Sequence, residues 1–312
     1  MDVRKIQWEK FMTKTISFIN YKGGVGKTTT AYHIGCALAL YHNKKVLMVD
    51  VDPQTNLTFL CVSPQKWEEF KETRGTLASL YRAFLKDDRK YDIKKILWSS
   101  PAPIKNLDLI PSDIELLAVD LDLLYKLRAV ADPRMRDRGD IEIRTILGRA
   151  LAELKEKKAY DFILIDCPPN LYLVTQNALF ASDFYVVTVL PDHLSTIGLN
   201  ILYNRIQELK NEMNKLAFVY GVPISEPVLG GVIFVRVRLG AGFIVRHHSD
   251  YMDRIKNGPF AALCFKNFTT EAIGYGEAAA ENLPVFMMKS ANARRISEQY
   301  ISITDEFLDK LS

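Results

Sequence analysis

Cysteine is scarce in this chain. The four present (Cys36, Cys61, Cys167 and Cys264) are far apart, with no C-x-x-C pair. That spacing argues against a zinc cluster or a disulfide framework and fits a reducing compartment. No stretch reaches the run of about 18 apolar residues that a membrane helix needs, and the opening MDVRKIQWEKF has no apolar core of a secretion signal. The expectation is a cytoplasmic protein with no stable membrane insertion. An excess of one charge is also missing: 41 basic residues against 37 acidic give a formal net charge of +4. Bulk charge therefore does not point to a polyanion, and any nucleic-acid contact has to come from a local patch. There is no internal repeat, low-complexity segment or Gly/Ser linker. What is there is ordinary for a folded protein: 312 residues, 48% hydrophobic, 25% charged and 11% aromatic. A chain of that length can bury a large core.

Strand and helix patterns alternate. Thr15–Asn20, Lys45–Asp50, Leu107–Ile110, Phe162–Asp166, Asp183–Val189 and Gly231–Val235 are continuous apolar or β-branched runs. Such runs belong to strands covered on both faces. Helices are expected over Thr28–Tyr41, Ile114–Arg128, Ile141–Lys157, Ile197–Asn214, Phe243–Lys256 and Ala291–Leu311. Residues 65–105 read as mixed helix and loop, and the charged stretch Pro133–Asp140 as a loop. The fold class that follows is α/β: a single domain over residues 14–312 with a mainly parallel β-sheet flanked by helices, preceded by an extension over residues 1–13.

The sharpest local signal is Tyr21-Lys22-Gly23-Gly24-Val25-Gly26-Lys27-Thr28-Thr29, set between the first strand and the first helix. That is the context of a phosphate-binding loop. Glycines at 23, 24 and 26 let the backbone curl so that several N–H groups converge on an anion. The helix start at Lys27 adds its positive dipole end. Lys27 is placed to reach the β- and γ-phosphates, and the Thr28 hydroxyl to ligate Mg²⁺. The first glycine of the usual G-x-x-x-x-G-K-[ST] pattern is Tyr21 here, and an extra lysine, Lys22, opens the form K-G-G-x-G-K-[ST].

On those residues the chain resembles the ParA/MinD group of deviant Walker ATPases, and within it the Soj-like ParA ATPases of DNA partition, from about Lys14 to Leu311. The resemblance implies an ATP- and Mg²⁺-dependent ATPase that forms a homodimer with nucleotide sandwiched between subunits. It implies that Lys22, with Lys27, acts on the phosphates, Lys22 reaching those of the partner subunit. It also implies nucleotide contacts along Lys22, Gly23, Gly24, Val25, Gly26, Lys27, Thr28 and Thr29. Asp50-Val51-Asp52-Pro53-Gln54 closes the second strand, and carboxylates at strand C-termini open onto the ligand crevice of a parallel sheet. By resemblance Asp52 positions the hydrolytic water and Asp50 lies near Mg²⁺. Phe162–Asp166, followed by Cys167-Pro168-Pro169, matches the Walker B pattern, so Asp166 is expected to hold Mg²⁺ through water. Cys167 reads as a small packing residue. Leu107-Asp108-Leu109-Ile110-Pro111-Ser112 matches a further family landmark without chemistry of its own.

The surface that the switch acts on is read from the C-terminal third. Arg236, Arg238, Arg246, Arg254 and Lys256 stand against Asp250 and Asp253, and Lys266, Lys289, Arg294 and Arg295 follow. Such a patch would hold phosphates by counterion release without reading bases. By resemblance it binds nonspecific DNA, with Arg236, Arg238, Arg246 and Lys266 as contacts, and answers to a ParB-like activator or adaptor, which would place the protein on the nucleoid. Arg→Glu changes at Arg236 and Arg246 are then expected to weaken DNA binding and spare hydrolysis. Where relatives carry I-P-R-N-x-x-L, this chain has Leu263-Cys264-Phe265-Lys266-Asn267-Phe268-Thr269: Lys266 keeps the charge, and Phe265 replaces a proline near the nucleotide base. The alternative is a nucleotide-gated regulator of protein partners or of a membrane, as in MinD, without DNA. Ile296, Tyr300, Ile303, Phe307 and Leu311 fall on one face of the last helix, whose polar face carries Glu298, Asp305, Glu306 and Asp309. An anionic membrane would repel that face, so core docking is expected.

Overall fold

The computed structural model describes residues 12–272 and 274–311. The extension expected over residues 1–13 lies outside the described residues except for its last two. Six strands, β1 (Lys14–Phe18), β2 (Val46–Asp50), β3 (Leu107–Ile110), β4 (Phe162–Asp166), β5 (Phe184–Val189) and β6 (Val228–Phe234), form one sheet in the order β3-β2-β4-β1-β5-β6. Every pairing in it is parallel. β2 and β4 are buried at every position, as their unbroken apolar runs require. Successive side chains alternate between two cores. Leu47, Val49, Ile163 and Ile165 face one, and Val46, Met48, Phe162 and Leu164 face the other.

The second core is closed by α1 (Lys27–Tyr41) and by the last helix, Ala291–Leu311. Ile296, Tyr300, Ile303, Phe307 and Leu311 are all buried there, and the Phe307 ring stacks on Phe18 at 6.3 Å. The apolar stripe of this helix thus docks in the core. No described helix is long and apolar enough to cross a membrane.

Between β2 and β3 lie α2 (Asn56–Cys61), α3 (Pro64–Arg74) and α4 (Leu77–Leu85), then a single tight turn at Ile93–Ile96. After β3 come α5 (Leu116–Arg128), α6 (Pro133–Arg144) and α7 (Ile146–Glu156). Two expectations fail here. The charged stretch from Pro133 is helix, not loop: Asp132 accepts from the amides of Arg134 and Met135 at 2.8 and 3.1 Å. Pro133 fits the first helical position, where no amide is needed. The single helix expected over 141–157 is two, broken at Thr145, whose hydroxyl donates to the Ile141 carbonyl at 2.7 Å. Then follow α8 (Leu173–Ala181) and α9 (His193–Tyr220). The latter is capped by Asp192 through the Ser195 amide at 2.7 Å and stopped by Gly221 at φ 63°.

A third expectation changes past β6. The helix read from Phe243 starts only at Arg246 (α10, Arg246–Lys256). Before it, Phe243–Ile244 (β8) pairs antiparallel with Leu239–Gly240 (β7). The turn residues Ala241 and Gly242 both have positive φ, 49° and 83°, which is the requirement of a tight two-residue hairpin. A short helix α11 (Gly274–Ala280) precedes α12 (Ala291–Leu311).

One buried group makes the second core sensitive to acid. His33 is 3% exposed. Its Nδ1 meets the Thr29 carbonyl at 2.7 Å, and its Nε2 accepts from the Val285 amide at 3.3 Å. That pairing needs the neutral ring, and burial lowers its pKa to about 4. The folded pKa lies below the ordinary 6.5. The contribution is therefore complete above pH 6.5 and lost as pH falls from 6.5 to 4. The expected cost below pH 4 is about 3 kcal/mol. An NMR titration should find the His33 ring uncharged at pH 5; a midpoint near 6.5 would contradict this.

Candidate nucleotide site

Strands of a parallel sheet present their C-terminal ends along one edge, and ligands settle where strand order reverses. Here β1 is followed by β2, two places away across β4, so the segments after β1, β2 and β4 converge. A cavity of about 560 Å³ opens there, lined by Gly23–Thr30, Asp52, Gln54, Asn56 and Pro169. Gly24 and Gly26 have φ of 71° and 68°, the left-handed region that only glycine enters freely. A Cβ at Gly23 or Gly24 would meet nothing within 4 Å. The loop is thus an open cradle and not a packed turn. Gly26 leads straight into α1, whose first amides have no partner within the helix and face the cradle.

Lys27 is buried at 6% exposure, and its Nζ donates to the Lys22 carbonyl at 3.3 Å. Burial lowers its pKa, while the carboxylates of Asp166 and Asp52 oppose that. Asp52 sits just past β2. Its Oδ1 accepts from the Gln54 amide at 2.9 Å, and its own carbonyl receives the Ser112 hydroxyl at 2.6 Å. Burial raises the Asp52 pKa, opposed by the Gln54 hydrogen bond and the Lys27 charge.

Asp50 and Asp166 end adjacent strands at the same rung, and both are fully buried. They differ in their partners. Asp50 takes the Thr58 amide and hydroxyl at 2.9 and 2.7 Å and the Asp52 amide at 3.1 Å. Both its oxygens are thereby committed, and burial still pushes its pKa up to about 7. Like Asp166 it lies behind the cavity lining, and its bond from the Asp52 amide fixes the turn that carries Asp52. Asp166 has two buried oxygens with no hydrogen-bond partner. Burial and then the neighbouring Asp50 hold its carboxyl well above the usual range, with the Thr28 hydroxyl and Lys27 pulling the other way. A buried carboxylate left without partners is costly. An orphaned hard-oxygen group beside a threonine hydroxyl fits a hydrated Mg²⁺, which binds through few protein ligands and keeps its waters. Among the described residues there is no group of three or more His, Cys, Asp or Glu able to hold a metal.

Lys22 is where the sequence is least informative. Its side chain is turned away from the cavity, with Nζ 2.9 Å from an Asp192 oxygen and 3.3 Å from the Ser195 hydroxyl at the start of α9. Cys167 is fully buried, as a packing residue should be.

The far wall of the cavity was not legible as a motif. It is built by Val235, Arg236, Thr269, Glu271, Ala272, Tyr275 and Tyr300, together with Leu60. Arg236, expected on a DNA surface, is therefore at the nucleotide cavity, in a left-handed conformation at φ 55°. Glu271 pairs with it at 3.4 Å and with Arg238 at 2.7 Å. Arg246 is exposed and has no ion pair among the described residues. Lys266 stands apart: its amide is bound by Glu306 at 2.8 Å, and it shares a depression with Asp305 and Asp309. The four arginine and lysine positions expected to meet DNA thus fall in three different settings. Phe265 does not reach the cavity. It is fully buried against Gly231, where any Cβ would lie 2.3 Å from its ring.

A glycine cradle at a helix start, a buried lysine inside it and an orphaned strand-end aspartate beside it define a P-loop nucleotide hydrolase fold. The comparisons with known proteins narrow this. Residues 13–218 match the family described as "AAA domain". The chain is 30% identical over 296 residues to the sporulation initiation inhibitor protein Soj of Bacillus subtilis, covering 95% of this chain and 98% of that protein. It is 33% identical over 212 residues to the chromosome-partitioning ATPase Soj of Treponema pallidum, covering 68% and 70%. An ATP complex of a Cyanothece McdA variant superposes with a TM-score of 0.71 at 21% identity, over 96% of this chain and 97% of that one. A Borrelia burgdorferi plasmid partition protein bound to AMPPNP gives 0.63 at 23%, over 96% and 99%. The chain belongs to the ParA/MinD family of deviant Walker ATPases, a family that binds ATP and hydrolyses it.

Proposed function

We propose that this chain is an ATP-gated partition switch. One ATPase unit over residues 14–312 binds ATP with Mg²⁺, closes into a homodimer, holds nonspecific DNA in that state, and is reset by hydrolysis that a ParB-like partner stimulates. Its place is then the cytoplasm, on the nucleoid. The observation that carries the reading is the deviant loop itself, with Lys27 inside the cradle and a second lysine, Lys22, parked outside it.

The geometry supports the following division of labour. The amides from Gly23 to Thr29 receive phosphate oxygens, and Lys27 neutralises them from below. The Thr28 hydroxyl would ligate the cation and Asp166 would hold it through water, while Asp50 braces the turn behind them. When bound, the cation draws charge from the phosphate oxygens. Asp52 orients the attacking water and accepts its proton; burial, which raises its pKa, makes it the better base. Lys22, released from Asp192, supplies a cation to the partner subunit's phosphates as an arginine finger does. Val235, Tyr275 and Tyr300 also line the cavity and offer apolar and aromatic surface for the base.

The placement of the basic residues separates two roles. Arg246→Glu is expected to lower ATP-dependent retention on duplex DNA at least about tenfold and to flatten the slope of log affinity against log salt by about one unit or more. Its ATP turnover should not change. Arg236→Ala should instead weaken ATP binding and leave that slope as it is. Anisotropy with a labelled duplex at several salt concentrations, alongside ATP calorimetry, checks both. Wild-type protein with ATP that ignores DNA at low salt would remove the DNA reading and leave the regulator of protein partners standing.

A further inference from the structure

Asp166 is joined to α8 by a short segment that forms part of the nucleotide site. Pro169, in that segment, lines the cavity, close after the aspartate whose oxygens lack partners. Pro168 and Pro169 are consecutive, so the segment is stiff there and has no amide hydrogen to donate. It must be held by its ends. The near end is tied by the Cys167 amide to the Phe18 carbonyl of β1 at 3.1 Å. A shift of the far end is therefore passed along the two prolines to the cavity wall.

The far end is where α8 begins. Every residue of α8 is buried, and the first amides of a helix have no partner within it. Tyr172, at the position that normally supplies a capping oxygen, makes no side-chain bond to them. The oxygen comes from α5 instead. Asp120 Oδ1 accepts from the Val174 amide at 2.9 Å, across 54 positions of sequence. Burial pushes the Asp120 pKa up to about 6, opposed by the Val174 and Leu173 amides that bond to it. The neighbouring hydrogen bonds are local. Asn170 Oδ1 takes the Tyr172 amide at 3.0 Å and the Thr175 hydroxyl at 2.9 Å, and Gln176 Nε2 donates to the Leu171 carbonyl at 2.7 Å. They shape the segment, whereas Asp120 attaches it to another element. Further along, Asn177 holds the body of α8 separately, through the Ile143 carbonyl at 2.8 Å and the Leu147 amide at 3.1 Å.

From this arrangement we infer that Asp120 is a positioning residue for ATP hydrolysis: it tethers the start of α8 to α5 and so sets where the segment from Asp166 to Pro169 stands in the nucleotide site. Asp120 does not line the cavity, so it acts through that segment. The inference rests on the proposed ATPase role of the cavity, and it gives a part in turnover to a residue outside the phosphate loop and both acidic strand ends. The cradle and Lys27 are carried by β1 and α1, not by the tethered segment. Loss of the tether therefore acts on rate more than on ATP affinity, because alignment at the reacting phosphate is what a small displacement spoils.

The test uses the full chain and compares Asp120→Ala with Asp120→Asn, which keeps an acceptor for the two amides. In Asp120→Ala, turnover at saturating ATP should fall about ten- to a hundredfold, while the ATP dissociation constant from calorimetry in Mg²⁺ stays within about twofold of wild type. Asp120→Asn should recover turnover to within about threefold of wild type. Hydrogen exchange should quicken at the Leu173 and Val174 amides of Asp120→Ala and stay unchanged in α1, which separates a local release from general loosening. Faster exchange with wild-type turnover would overturn the positioning role and leave Asp120 a helix cap alone. Equal loss of ATP affinity and turnover would overturn it as well, and so would an Asp120→Asn as slow as Asp120→Ala. Wild-type protein that releases no phosphate from ATP would instead remove the ATPase reading itself, and the positioning role with it.

Discussion

Lys27→Ala removes nucleotide binding. Lys27 is the one lysine in the cavity wall among the described residues, and it is buried beneath the cradle with 6% of its surface exposed. It faces Asp166 and Asp52 on one side and the incoming phosphates on the other. Truncating one member of a desolvated charge pair costs about 2–5 kcal/mol. Here two carboxylates would also be left to repel both each other and the ligand. The expected result is an ATP dissociation constant raised by about a thousandfold, with calorimetry in Mg²⁺ showing no usable heat. The fold should survive, because the two cores are built by other residues, and circular dichroism can confirm it. A dissociation constant within about tenfold of wild type would show that the backbone amides alone carry the phosphates.

Asp52→Ala separates binding from turnover. Asp52 forms no part of the cradle; it lines the same cavity, held by the Gln54 amide and the Ser112 hydroxyl. Loss of a general base costs about 10²–10⁴ in rate, whereas the contacts that hold ATP are untouched. The expected outcome is a protein that binds ATP, turns it over at least a hundredfold more slowly, and accumulates as a dimer on a sizing column with ATP. Phosphate release at the wild-type rate would refute the base. A monomer in saturating ATP would refute the link between nucleotide and assembly.

The strands, the phosphate loop and the two acidic strand ends were legible because each is local. β3, β4 and α12 fall where their periodicity puts them, since a doubly buried strand needs an unbroken apolar run and a docked helix needs a stripe. The helix from Pro133 was hidden by its charges: only Ile141 and Ile143 are buried, too few to set a period, although Asp132-Pro133 is a helix-start signal. The hairpin at 239–244 was hidden by its brevity. What could not be read at all is long-range. The far wall is assembled from Leu60, Val235, Arg236, Thr269, Glu271, Ala272, Tyr275 and Tyr300, which form no motif together. The same is true of the partner of Lys22, which lies 170 residues away. Arg236 lines the cavity with its side chain 51% exposed, a placement that charge alone does not give.

Asp192 does two jobs at once: one of its oxygens grips Lys22 and the other caps the first turn of α9. That helix has 28 residues, which makes it a rod about 42 Å long. Departure of the lysine would bare one oxygen of Asp192 at the head of that rod, while the other keeps its bond to the Ser195 amide.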